Sequence, residues 1–193
     1  MAASGSSTTK VHQLKVVLRG VEPSIWRRLQ VPASTTLAEL HGVVQVAMGW
    51  QDCHLHQFEI AGVTYGIDDG EGWGPAPKDE RHTRLDSVAG KGTGFTYEYD
   101  FGDGWEHDID VEDVLDAEVG KAYPACIAGE RSCPPEDCGG TWGYENFLAA
   151  LADPDHDELL EWVGGEFDPE HLDLVAVNRA LAPTRRRSAP SRA

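Results

Sequence analysis

The sequence predicts an α+β fold: a mainly antiparallel sheet, one helix between early strands, and a group of helices at the C-terminal end. Three observations predict it. Segments alternating apolar and polar residues dominate the first 111 positions. One stretch of helical spacing interrupts them, and helical stretches fill the last third. Strands first and helices last exclude a regular alternation of parallel strands and crossover helices.

Residues 1–10, rich in Ser, Thr, Gly and Ala, read as a flexible leader. Over 11–18, Leu14, Val16 and Leu18 alternate with Lys15 and other outward positions, a strand pattern. Residues 20–24 turn the chain. Over 25–31, Ile25, Leu29 and Val31 share a face, and Arg27 sits among them. An arginine there calls for a strand end or a buried carboxylate partner. Pro32 ends the strand. Thr36 and Glu39 have capping-box spacing, Leu37, Leu40, Val43, Val44, Ala47 and Met48 form one helical stripe, and Gly49 is placed to stop it.

Residues 54–60 and 63–65 read as a strand pair joined at Ala61-Gly62, and 68–78 as a loop. A hairpin follows around Gly102-Asp103-Gly104. Phe95, Tyr97, Tyr99 and Phe101 take one side of its first strand; Trp105, His107, Ile109 and Val111 take one side of its second. Glu98, Asp100, Glu106, Asp108 and Asp110 lie opposite. Residues 120–141 form a Cys/Pro/Gly loop. A helix then carries Tyr144, Phe147, Leu148 and Leu151 inward until Asp153-Pro154, and a second, short one carries Leu159, Leu160 and Val163. Asp168-Pro169-Glu170 signals the start of a third that runs to about residue 181. Residues 11–182 thus form a single domain, and 183–193 a basic disordered tail.

Composition narrows the function. Hydrophobic residues at 40% and charged residues at 25% match ordinary globular usage, excluding collagen-like, coiled-coil and wholly disordered chains. No apolar run approaches the ~20 residues that span a bilayer, and the start is not a signal peptide, so the expected location is cytoplasmic and no membrane partner is implied. The net charge is −17, with four arginines (185, 186, 187 and 192) in the tail, so residues 1–182 carry −21. Such a body repels phosphate backbones, which argues against DNA binding.

Three constellations could carry chemistry. Cys126, Cys133 and Cys138 fall within thirteen residues and end in Cys-Gly-Gly. Without a secretory context this clustering suits zinc more than a disulfide framework, and zinc needs a fourth ligand. Packed, reduced thiols and a redox pair are the alternatives. His54, His56 and His107 lie on apolar faces of expected strands and read either as core histidines or as a converging metal or acid/base set. Asp100 and Asp103 in the glycine turn could hold a cation with Glu106, or simply bond the turn's backbone. No phosphate-binding loop, nucleophile elbow or His-Glu-x-x-His is present.

Six ordered motifs resemble one family. They are residues 26–32 (Trp-Arg-Arg-Leu-Gln-Val-Pro), Leu40-His41 with 47–50 (Ala-Met-Gly-Trp), 54–58 (His-Leu-His-Gln-Phe), 99–107, 133–140 (Cys-Pro-Pro-Glu-Asp-Cys-Gly-Gly) and 167–170. Together they cover about residues 11–181 and are similar to the plasmid ORF-three-like proteins, named from a reading frame on a root-inducing plasmid. The resemblance implies a compact α+β domain of bacterial plasmids and mobile elements. It carries over no catalytic residue. Some members bear a resolvase label. A serine recombinase needs a nucleophilic serine among arginines; Ser24 near Arg27 and Arg28 is the one match, and the acidity opposes it.

The leading expectation is a noncatalytic binding or interaction module, its loop pinned by zinc on Cys126, Cys133, Cys138 and His107. A protein partner would meet Trp73, Trp142 and Tyr144. A metal-dependent hydrolase or nuclease would instead gather His54, His56, Asp100, Asp103 and His107 around one ion. The acidic body also suits a DNA mimic or inhibitor that blocks a basic site.

Overall fold

The computed structural model describes residues 9–68, 70, 75–152 and 161–182. Strands β1 (Lys10–Leu18) and β2 (Trp26–Pro32) form the first antiparallel pair. Helix α1 (Leu37–Met48) follows, then β3 (His56–Ile60), β4 (Val63–Gly66), β5 (Lys78–Asp79) and a single-turn α2 (Leu85–Val88). The hairpin strands are β6 (Gly94–Tyr99) and β7 (Trp105–Asp116). Strand β8 (Ala125–Glu130), α3 (Gly140–Leu151) and α4 (Leu174–Ala180) complete the described elements. One eight-stranded sheet results, in the order β5-β4-β3-β6-β7-β1-β2-β8, antiparallel except for β4–β5.

The expected α+β class is the observed one. Because β2 and β3 are separated by β6, β7 and β1, the α1 connection crosses the sheet and covers one face. Its start is the expected capping box, Thr36 with Glu39, and Gly49 at φ 96° ends it in the left-handed conformation. Leu37, Leu40, Val43, Val44, Ala47 and Met48 are buried against Leu14, Val16, Leu29, Tyr97, Ile109 and Val111 in one core. Apolar burial on this scale is the main favourable term of folding.

The opposite face carries acidic residues of β7, and several of them are ion-paired. Arg19 bridges Glu106 and Asp108, Arg28 bonds Glu112, and Lys91 meets Asp113. Arg28 also lies over the Trp26 ring, so neither arginine near Ser24 is a free phosphoryl-binding group.

Arg27 is the second residue of β2 and is 2% exposed. Among the described residues, no carboxylate meets it. Its guanidinium donates to the carbonyls of Ala47, Trp26, Glu130 and Arg131 at 2.8 Å each, and to Cys133 Sγ at 3.5 Å. One buried cation thus joins β2, the end of α1, the end of β8 and the cysteine loop.

Several expectations change in detail. Residues 125–130, expected as loop, form β8 by pairing with β2. Its other edge is met by Asn178, whose side-chain amide accepts from the Cys126 N–H and donates to its carbonyl, substituting for a neighbouring strand. The start signal at residues 168–170 makes only a turn. Ser132 bonds the carbonyls of Asp168, Pro169 and His171, taking acceptors a helix would need, so α4 starts at Leu174 with Asp173 as cap. Leu159, Leu160, Trp73 and the tail lie outside the described residues.

The Arg27 arrangement makes a direct prediction. Arg27→Met removes the donor from four carbonyls and should cost roughly 3–5 kcal/mol in urea unfolding, the scale for breaking a buried charged network. A loss under about 1 kcal/mol would contradict the anchor.

Candidate metal centre

Helix α1 ends at Gly49, and the chain then runs along the sheet's end to β3. Every bond holding this segment involves a neighbouring element. Trp50 Nε1 donates to the Pro134 carbonyl and the Gln51 amide to Glu136 Oε1. The Asp52 amide bonds Gln45, and Asp52 Oδ1 meets His41 Nε2 at 2.7 Å. The Cys53 amide donates to the Tyr99 hydroxyl, which itself donates to Glu136. His54 precedes the strand rather than belonging to it. It therefore does not take the face of His56, which a strand beginning at residue 54 would give it.

The turn after β6 supplies the second wall. Asp100 adopts a left-handed conformation at φ 55°, which breaks the alternation of the strand. Phe101 consequently points outward, half exposed, instead of joining Phe95, Tyr97 and Tyr99 inside. The same twist turns the Asp100 carboxylate inward. Its Oδ1 accepts from the amides of Gly102 and Asp103, and Oδ2 faces His54 Nε2 at 3.6 Å.

The third wall is the cysteine loop, which contributes its acids. Asp137 Oδ1 stands 3.1 Å and Glu136 Oε2 4.0 Å from His54 Nε2. The loop is held by Asp103, whose carboxylate accepts from the Gly139 amide at 3.0 Å. A Cβ on Gly140 would reach within 2.5 Å of the Asp103 carbonyl oxygen, so that glycine is required for the approach.

Among the described residues, His54 Nε2 is buried and finds no hydrogen-bond partner, although three carboxylates surround it. Among the described residues, two groups place ligand atoms within 4.8 Å of one another: His54, Asp100 and Asp137; and Cys53, His54 and Glu136. With metal–ligand bonds near ~2.1 Å, neighbouring donors stand ~3.0 Å apart in an octahedron and ~3.4 Å in a tetrahedron. The observed 3.1 and 3.6 Å separations each lie within about 0.2 Å of one of those values. The Glu136–Asp137 wall continues into a cleft of about 390 Å³ lined by Trp50, Pro134, Pro135, Trp162 and Phe167.

The expected site residues separate into those the fold gathers and those it scatters. His54 and Asp100 meet; Asp103 positions the loop beside them. His56 is turned away, stacked on His41 at 3.4 Å with its Nε2 2.9 Å from Glu80. Cys126, Cys133, Cys138 and His107 are not brought together within ligand reach of one another. The Cys126 thiol faces the Ala128 carbonyl, and Cys133 lies against Arg27 and Met48. Burial pushes the Cys133 thiol up to about 11. Burial and then the Asp103 carboxylate, with Asp137 and Glu136, push Cys138 up to about 12. The Gly139 amide beside Cys138 donates to the Asp103 carboxylate. Tyr144 is buried against Phe147, as the helix pattern expects and not on the proposed contact surface, whereas Trp142 is exposed.

His107 is fully buried, its Nδ1–H donating to the Tyr97 carbonyl and its ring edge-on to Trp50. Burial lowers its pKa from 6.5 to about 4.

The fold and this end of the sheet can now be set beside known proteins. The model of the plasmid pRiA4b ORF-3-like proteins matches residues 10–176. The chain belongs to this family. Among curated relatives, the uncharacterised protein y4hQ of Sinorhizobium fredii is 45% identical over 178 residues, covering 89% of this chain and 90% of the relative. The crystal structure of MM3350 from Methanosarcina mazei, a protein of unknown function, superposes with a TM-score of 0.79 at 37% identity. It covers 88% of this chain and 97% of that one. The family and the α+β fold are thereby shown. Among the described residues, no helix is long and apolar enough to cross a membrane.

The His107 environment predicts acid sensitivity in chelator-treated protein. A histidine with a depressed folded pKa stabilises the fold above its unfolded pKa of 6.5, and that stability is lost as pH falls through about 4. The loss should total about 3 kcal/mol, and the His12 and His41 pKa values, lowered by burial, add in the same direction. Urea unfolding from about pH 7 to about pH 4 should show this slope, flattened in His107→Gln; parallel slopes would contradict it.

Proposed function

We propose that this plasmid-family protein is a noncatalytic binding or interaction module stapled by one divalent ion at His54, Asp100 and Asp137, with Glu136 beside them. The observation that carries this reading is His54 Nε2, turned without a hydrogen bond toward three carboxylates. A cation resolves both the unpaired nitrogen and the mutual repulsion of the acids. The ligands come from the α1–β3 connection, the β6–β7 turn and the loop before α3. An ion would therefore fasten the C-terminal helices to the sheet. Imidazole with carboxylates suits zinc, manganese or iron rather than an all-oxygen calcium cage.

Charge weighs against the nuclease reading. Three carboxylates leave a divalent centre at −1, in a chain of −17, so phosphodiesters are repelled and the ion's Lewis acidity is reduced. The five-residue hydrolase constellation also loses His56 and His107 to other surroundings. The mimic reading is weakened by Arg19 and Arg28, which neutralise part of the acidic face. A protein partner would find Trp142, 74% exposed, on α3 near the stapled loop.

Metal-depleted protein titrated with zinc or manganese should gain about 2.7 kcal/mol at an ion concentration ~100 times the dissociation constant. That corresponds to a rise of roughly 5–10 °C in Tm. His54→Ala should abolish the rise. Equal shifts in wild type and His54→Ala would contradict the assignment.

A further inference from the structure

We propose that His54 serves two alternative metal positions, one with Cys53 and Glu136 and one with Asp100 and Asp137, the softness of the ion deciding which is filled. This rests on the metal-centre reading above and adds Cys53 to it. The two ligand groups overlap in a single residue, His54. The same nitrogen, His54 Nε2, stands 4.0 Å from Glu136 of the first group and 3.6 and 3.1 Å from Asp100 and Asp137 of the second, so through it the imidazole binds one ion at a time and the two positions exclude each other.

Each position has its own support. Tyr99 organises the first: its hydroxyl accepts from the Cys53 amide at 3.1 Å, lies 3.6 Å from Cys53 Sγ and donates to Glu136 at 3.1 Å. Glu136 is held further by the Gln51 amide. The second position is organised by the β6–β7 turn, whose amides fix Asp100 Oδ1 and leave Oδ2 facing His54. Asp100 is 8% exposed, so this carboxylate is built into the site rather than solvated. Hydrogen bonds to ligand side chains orient them and tune affinity.

The donor sets differ in chemistry. Sulfur, nitrogen and one carboxylate suit thiophilic ions such as zinc or cadmium. Nitrogen with two carboxylates suits manganese. A change of ion would move the centre from the Cys53 side to the Asp137 side without any new ligand from outside. Cys53 is exposed, so the first position is reachable from solvent.

The test uses full-length, chelator-treated protein with cadmium followed by thiolate-to-metal ultraviolet absorption, and manganese followed by electron paramagnetic resonance. Wild type should bind both, and saturating cadmium should release manganese. Cys53→Ser should lose the cadmium–thiolate band while manganese affinity changes by less than about threefold. Asp100→Asn with Asp137→Asn should weaken manganese about tenfold or more and keep the band. His54→Ala should lose both. A band that persists in Cys53→Ser, or cadmium and manganese bound together without displacement, overturns the two-position proposal while leaving a metal centre. Failure of wild type to bind either ion overturns the metal-centre reading itself.

Discussion

The buried guanidinium of Arg27 organises the end of the molecule where the candidate centre lies. A desolvated cation without a carboxylate is costly unless its donors are satisfied. Here the acceptors are carbonyls of α1, β2, β8 and the following loop. Their dipoles converge on one point, which holds the end of α1 against the start of the cysteine loop. The Trp50–His54 segment leaves from the first, and Glu136 and Asp137 leave from the second. The geometry around His54 thus depends on a residue that never touches it.

Four acidic side chains surround the two ligand positions or their loop: Asp100, Asp103, Glu136 and Asp137. Asp103 is occupied by the Gly139 amide, Asp100 partly by turn amides, and Glu136 by Tyr99 and Gln51. Those bonds satisfy backbone and hydroxyl donors but leave carboxylate oxygens directed at an imidazole nitrogen. Neutral packing would have separated like charges. Their concentration at the junction of three chain segments is what a cation would bind, and what makes its removal a structural event. The family relatives share the architecture without an assigned activity, so the functional reading rests on this chemistry.

Much of the fold was legible in the sequence because its elements carry strong periodic patterns. The capping box and apolar stripe of α1 and the inward rows of β6 and β7 were read at the right positions. Strand β8 was missed because Ala125–Glu130 alternates weakly, and its strand character comes from pairing with β2 and from Asn178. The site was half legible. His54, Asp100 and Asp103 were singled out, but strand alternation grouped His54 with His56, whereas β3 starts only at His56. The left-handed Asp100 was equally invisible to a period-two pattern. In the Cys-Pro-Pro-Glu-Asp-Cys loop the clustered thiols carry a stronger sequence signal than Glu136 and Asp137. The adjacent acid pair, in the turn that directly follows Pro134-Pro135, is the available signal.

Elemental analysis tests the central claim most directly, on protein purified without a metal-affinity step or chelator and compared with His54→Ala. The account predicts about one divalent transition-metal ion per wild-type chain and a near-complete loss in the variant. Metal-free wild-type protein that also fails to take up zinc or manganese on dialysis would contradict it, as would unchanged metal content in His54→Ala.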